Sequence, residues 1–393
     1  MDDKKFSIVF TGDVAFDKYM DGRWEDEKLL SGEIYDFLHS ADHVVINLEG
    51  ALYQPSDLVK TDYFHAMNPE AVCALRRMKA DIWSIGNNHS MDAGKEGLVS
   101  TKTIAKANRC KTFGAGRSEA EASQPVFLGE QAGGIGMICV GYQKECAAAT
   151  AHTAGCLAWD NDKLIAGRIK EIKKTCRWCI VIAHGGEEFS PLPLPYTRER
   201  YIGYLKMGAD VVVGHHPHVP ENYETFEDGK MIFYSLGNFI FDTDYQRAHF
   251  YTDIGVLLKL NFTKDHLTFE AMGIKILRDN GSISTCAVPD IFTDILANEY
   301  QLLAPLAAKA FLAEDKRKMI YLNPSKYGGK PEALKDYFSG CSHEDYVKGS
   351  HMDFDIIVPL AQAAINNEWQ NSKLSKVKQH ILLCCGERYK NDR

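Results

Sequence analysis

Apolar runs that end on small clusters of oxygen and nitrogen ligands recur along this 393-residue chain, and the recurrence restricts its fold more than any other feature. Phe6 to Phe10 leads into Thr11-Gly12-Asp13, and His43 to Ile46 into Asn47-Leu48-Glu49. Asp81 to Ile85 precedes Asn87-Asn88-His89, Cys179 to Ala183 precedes His184-Gly185-Gly186-Glu187, and Ala209 to Val213 precedes Gly214-His215-His216-Pro217-His218. Short apolar runs separated by helical segments are the strands of an α/β sheet. Open α/β sheets bind ligands beyond the carboxyl ends of their strands, so residues far apart in sequence meet there.

The donor types explain the gathering. Carboxylate and amide oxygens with imidazole nitrogens suit divalent manganese, iron or zinc, and the absence of thiolates from all five clusters argues against a structural zinc site. Two ions roughly 3.5 to 4 Å apart can activate a water and clamp the oxygens of an attacked centre. Singly, each residue is an ordinary turn or cap residue. The joint pattern singles them out. Of the three histidines in His215-His216-Pro217-His218, strand alternation and the stiff Pro217 favour His216 and His218 as ligands, with His215 behind them or facing substrate. Glu187 and Glu188 follow His184 closely enough to orient a ligand or bind a cationic group, with a solvated acidic loop as the alternative, above all for Glu188. Arg198 and Arg200, which could meet an anionic substrate, read better as a helix face in water.

Between the runs, Asn68-Pro69-Glu70 caps a helix over residues 71–79, Asp160 caps one through Ile172, and Thr197 caps another before Gly208. Ile254 to Phe262 and Leu267 to Ile276 read as antiparallel or edge strands. Beyond Asp279, apolar positions at helical spacing over Ile291 to Leu312 and Ile356 to Ile365 predict a helical extension, with a turn-rich stretch from Asn323 to Ser350. The expected domains are 1–280 and 281–393.

From Phe6 to Ile276 the chain resembles the bacterial CapA proteins of poly-γ-glutamate capsule synthesis, a branch of the calcineurin-like metallophosphoesterase superfamily. The resemblance is carried by Gly12-Asp13, Asn47-Leu48-Glu49-Gly50, Asn87-Asn88-His89 with Asp92 and Gly94, His184-Gly185-Gly186-Glu187, Gly214-His215-His216-Pro217-His218-Val219, and Tyr234-Ser235-Leu236-Gly237-Asn238-Phe239. It implies a four-layer αββα two-sheet sandwich with a dinuclear metal site at the strand ends. By motif, Asp13 is a ligand of the first metal, Glu49 the bridging carboxylate, and Asn88, His184 and His216 ligands of the second, while His218 reaches back to the first. His89 is then the general acid or transition-state donor, with Asp92 holding its ring. Asn47, Glu187, His215 and Asn238 surround the ligands or meet substrate. The chain departs from the superfamily where Ala15 replaces a histidine and Glu49 an aspartate, so one-metal binding is an alternative. Gly185 stands where CapA-like chains commonly carry tryptophan, which would open the pocket or alter stacking.

With 45% hydrophobic residues the chain is long enough for a large core, and a net charge of −8 gives no support for a nucleic-acid surface. Met1-Asp2-Asp3-Lys4-Lys5 leads into a strand without a signal sequence, and no apolar stretch is long enough to span a bilayer. Eleven irregularly spaced cysteines fit reduced thiols in a cytoplasm. Cys176-Arg177-Trp178-Cys179 has redox spacing but reads as two partly buried thiols. The expected protein is a cytoplasmic metal-dependent hydrolase acting on an anionic small molecule or polymer, through a phosphoester or an amide linkage, with homo-oligomerisation open. The rival is a non-catalytic anionic-polymer-binding or assembly component with a degenerate metal site.

Overall fold

Valine- and isoleucine-rich segments buried on both faces build two sheets in the computed structural model, which describes residues 5–54, 64–322, 357, 360–361 and 372–385. The first sheet contains β1 (Phe6–Val14), β2 (His43–Leu48), β3 (Ala80–Ser84) and β4 (Lys111–Phe113). The second is built from β5 (Val126–Leu128), β6 (Ile135–Gly141), β7 (Trp178–His184), β8 (Val211–His215), β9 (Tyr223–Thr225) and β10 (Met231–Phe233). The chain then returns to the first sheet with β11 (Asn238–Ile240), β12 (Ile254–Phe262), β13 (Leu267–Leu277) and β14 (Ser282–Cys286).

The first sheet runs β14-β13-β12-β1-β2-β3-β4 with β11 beside the end of β1, and the second runs β9-β10-β8-β7-β6-β5. β1 to β4 are parallel, as are β6, β7, β8 and β10, so the carboxyl ends within each set share one edge.

Two-residue periodicity separates the layers. Ile8 and Phe10 of β1 share an inter-sheet core with Ile180 and Ile182 of β7 and with Val211 and Val213 of β8. Val9, Val44 and Ile46 face outward onto Ile34 and Leu38 of α1 (Gly32–His39), Leu75 of α2 (Val72–Arg77) and Leu98 of α3 (Gly94–Ala107). On the far side, Val181 and Val212 pack on Ile165 and Ile169 of α4 (Asp162–Thr175) and on Tyr201 and Tyr204 of α5 (Pro195–Met207). This is the four-layer αββα sandwich. Each fully buried Val, Ile or Leu stabilises it by roughly 1.5–3 kcal/mol.

Local capping differs in part from expectation. Asn68 accepts from the Glu70 N–H at 2.9 Å as anticipated, but Asn161 rather than Asp160 caps α4. At α5 the cap is Leu194, because the Thr197 hydroxyl donates to Glu187 at 2.8 Å. Cys176 ends α4 and Cys179 lies in β7; both are buried, and burial pushes the Cys179 thiol up to about 12, far from a reactive thiolate.

The C-terminal elements are α6 (Ala297–Leu322) and α7 (Ser372–Cys384), which pack together with Leu192 and Leu194. The helix expected from Ile291 begins instead at Ala297, since Tyr223 and Thr225 of β9 bind the preceding backbone and Asp294. The expected segments Asn323 to Ser350 and, apart from 357 and 360–361, Ile356 to Ile365 lie outside the described residues. Among the described residues no helix is long and apolar enough to cross a membrane.

A buried pair joins α6 to the rest: His249 Nδ1 lies 2.9 Å from Glu314 Oε2, and the His249 ring stacks on Phe189 at 3.7 Å between centroids. Glu314→Ala removes this buried contact of His249 and is expected to lower unfolding stability by about 1–3 kcal/mol, measured by denaturant titration.

Candidate metal centre

Sheet register brings the polar strand ends together. Asp13 lies opposite Asn47 across β1 and β2 and opposite Asn238 across β1 and β11, while His184 lies opposite His215 across β7 and β8. The Asp13 N–H donates to the Gly237 carbonyl at 2.9 Å, and a Cβ on Gly12 would sit 2.1 Å from that same oxygen, so only glycine permits the approach.

Glu49 is the hub. Its Oε1 is buried without a hydrogen-bond partner, 3.6 Å from His218 Nε2, 3.7 Å from His184 Nε2 and 3.9 Å from His89 Nε2. These separations are too long for hydrogen bonds, and those to His218 and His184 suit donors that share an ion at about 2.0–2.2 Å. Asn47 Nδ2 donates to Asp13 Oδ1 at 2.8 Å and to Glu49 Oε2 at 3.3 Å, holding the two carboxylates side by side. Asp13 also meets His215 Nδ1 at 2.9 Å and His218 Nδ1 at 3.4 Å. Asn88 Oδ1 is 2.8 Å from His184 Nε2, and Asn238 Oδ1 is 2.9 Å from His218 Nδ1.

Donor atoms within 4.8 Å of one another form three sets: Asp13, Glu49 and His218; Glu49, His184 and His216; and Glu188, His216 and His218. The first two share Glu49, the arrangement a pair of ions requires of a bridging carboxylate. The orphaned Glu49 oxygen, the His216 nitrogens that make no hydrogen bond, and the all oxygen-and-nitrogen donor sets fit divalent ions that accept mixed ligands.

Electrostatics favour a cation here. Burial, reinforced by the Asp13 charge, pushes Glu49 up to about 7, so its ionised form is disfavoured without a positive partner. Burial opposes ionisation of Asp13 too, yet hydrogen bonds from His215 and His218 hold it well below the ordinary carboxylate value. Burial, followed by the nearby His216, drives His184 well below its usual value, leaving the neutral imidazole that ligation needs. His218 goes the other way, to about 10, because Glu49 and Asp13 outweigh its burial.

Backbone strain marks the same place. His216 has φ of 99° and His218 of 59°, left-handed conformations that cost non-glycine residues of order 1–3 kcal/mol each. β8 ends at His215, so the two imidazoles converge through this strained turn rather than through the strand alternation expected from the sequence.

The structure sorts the other expected residues. His89 Nδ1 is 2.8 Å from Asp92 Oδ2, which leaves Nε2 facing Glu49. Glu187 is directed elsewhere: its oxygens accept from Thr197 and from the Leu194 N–H at 3.1 Å, so it braces the start of α5 instead of meeting a ligand. Its neighbour Glu188 is the one that enters a donor set. The pocket is not opened at Gly185, since a Cβ there would lie 2.7 Å from the Trp159 ring and 2.6 Å from Tyr142 Cβ. Arg198 forks onto Glu224 at 2.6 and 2.8 Å, and Arg200 binds Asp162 and the Trp159 carbonyl, so neither is the water-facing residue expected.

Two neighbours were not expected at the site: His65, which reads from the sequence as a surface or satisfied interior histidine, and Glu145. His65 packs on His89 at 4.3 Å between centroids and bonds Asp17 at 3.0 Å. Glu145 lies against His216. The run Ile135 to Gly141, which ends shortly before Glu145, is the signal that would have found the latter.

A two-sheet α/β sandwich with clustered carboxylates, amides and imidazoles at its strand ends is the class that fold and site define. Residues 7–243 match the family described as bacterial capsule synthesis protein PGA_cap, and the chain belongs to that family. It is 30% identical over 270 residues to the PGA biosynthesis protein CapA of Bacillus subtilis, covering 66% of this chain and 70% of that protein. It is 27% identical over 304 residues to the capsule biosynthesis protein CapA of Bacillus anthracis, covering 73% and 68%. Among solved structures, TT1561 of Thermus thermophilus aligns at 11% identity with a TM-score of 0.36, covering 68% of this chain and 99% of that one.

Proposed function

We propose that the chain is a metal-dependent hydrolase of poly-γ-glutamate capsule synthesis, acting on an amide linkage of the polymer or on a phosphoester. The observation that carries this reading is Glu49 Oε1, a buried oxygen without a hydrogen bond, ringed at 3.6–3.9 Å by three imidazole nitrogens. Asp13, Glu49 and His218 would hold one ion, and Glu49, Asn88, His184 and His216 the other. Bound divalent manganese, iron or zinc would acidify a water and neutralise charge developing on the attacked centre. Asn47 keeps Asp13 and Glu49 in register, His215 fixes Asp13, and Asn238 fixes His218. Asp92 holds His89 through Nδ1, so that Nε2 points into the cavity, where it would deliver a proton to the leaving group.

Metal analysis together with a panel of phosphomonoesters, phosphodiesters and γ-glutamyl peptides tests the reading. For whichever substrate is turned over, His89→Ala is expected to lower kcat by about 10²–10⁴-fold while leaving metal content unchanged. Loss of metal in that variant would remove His89 from the acid role.

A second reading, a non-catalytic component that grips an anionic polymer, is favoured by Ala15, which is buried in the apolar core and supplies no donor. A fully metallated protein that turns over no member of the panel but binds poly-γ-glutamate would establish it.

A further inference from the structure

Glu145 belongs to none of the motifs above, yet its Oε2 lies 2.8 Å from His216 Nε2. Both atoms are buried, and neither makes a regular hydrogen bond. The carboxylate is not loosely placed. Tyr142 donates its N–H to the His184 carbonyl at 2.9 Å, and the Glu145 N–H closes a turn onto the Tyr142 carbonyl at 3.0 Å, so the turn is tied to the strand end that carries His184. His216 itself is almost fully buried, with φ of 99° and its ring 5.1 Å from that of His184. A strained, buried imidazole with no ordinary partner on either nitrogen needs two groups to satisfy it, one at each side of the ring.

We infer that Glu145 is a positioning residue of the metal centre, receiving the Nε2–H of His216 and thereby committing Nδ1 to the ion. Carboxylates commonly orient a ligating histidine in this way, fixing its tautomer and raising its basicity. The existing 2.8 Å separation is already that of a charge-assisted hydrogen bond, so only the ring's orientation has to be set. The inference rests on the metal reading above and adds a residue from a further loop, one that reaches the centre from β6.

Cobalt(II) titration of the wild type, Glu145→Gln, Glu145→Ala and Asp13→Ala, followed by calorimetry and visible absorption, tests it without reference to catalysis. Glu145→Ala is expected to weaken one of the two cobalt affinities by about 10–100-fold and to change the d–d spectrum. Glu145→Gln, whose carbonyl still accepts a hydrogen bond, is expected to recover most of the loss. Equal losses in Gln and Ala would replace positioning with a direct role of the charge, and an Ala variant identical to wild type would remove Glu145 from the centre. Both of those outcomes leave the metal reading intact. A wild type that binds no more cobalt than Asp13→Ala would overturn the metal reading and this inference with it.

Discussion

Glu49→Gln is expected to abolish paired metal binding while leaving the fold intact. The side chain is fully buried and shared by two of the three donor sets, so one substitution disables both proposed positions. Glutamine keeps the shape and can still accept from Asn47, but it lacks the charge that two cations require between them. At about a thousand times Kd, bound ions stabilise the wild type by about 4 kcal/mol, and the variant should gain under about 1 kcal/mol from the same manganese concentration.

The metal-free proteins should differ in the opposite sense. Folding raises Glu49 from 4.5 to about 7, so the native state holds the proton longer than the unfolded chain. Wild-type stability is therefore lost as pH rises through the interval from 4.5 to about 7, and the full penalty stands above it. Glu49→Gln escapes that penalty, and its advantage over metal-free wild type should grow across the interval and then level off. Thermal scans with and without manganese at several pH values, with metal content measured after gel filtration, separate the two effects. A variant that retains two equivalents of metal would refute the bridging role.

Gly214→Ala is expected to destabilise the protein by more than about 3 kcal/mol and to release metal. A Cβ at this position would lie 1.8 Å from the Tyr234 carbonyl and 3.0 Å from the Tyr201 ring. The carbonyl is main chain and the ring is stacked on Tyr234 at 5.6 Å, so neither can move aside cheaply. The backbone must separate instead, and it carries His215 and His216 with it. Urea unfolding together with metal content gives the readout; a change within about 1 kcal/mol would mean that the second sheet yields far more easily than its packing implies.

Much of the candidate centre was legible because residues with ligand chemistry follow apolar runs. Asp13, Glu49, Asn88, His184 and His216 each stand near the end of a run whose burial on both faces makes it a strand, and parallel strands put those ends on one edge. Glu187 and Glu188 show why adjacency says less. They follow the same run, yet one carboxylate turns to Thr197 and Leu194 while the other approaches His216 and His218. Glu145 stands further from its run than the others, since a turn intervenes between it and the end of β6, which makes the run-end signal weaker there.

Alternation and run length determined the strands, their burial and the donor types at their tips, since those depend on local periodicity and on the intrinsic chemistry of carboxylate, amide and imidazole. Which donors share a cavity, which nitrogen of each ring faces it, and where Arg198, Thr197 and Glu187 spend their hydrogen bonds were decided only by the tertiary structure. Those outcomes depend on sheet register and on the left-handed turn at His216 and His218, where contacts between segments some two hundred residues apart override local preference.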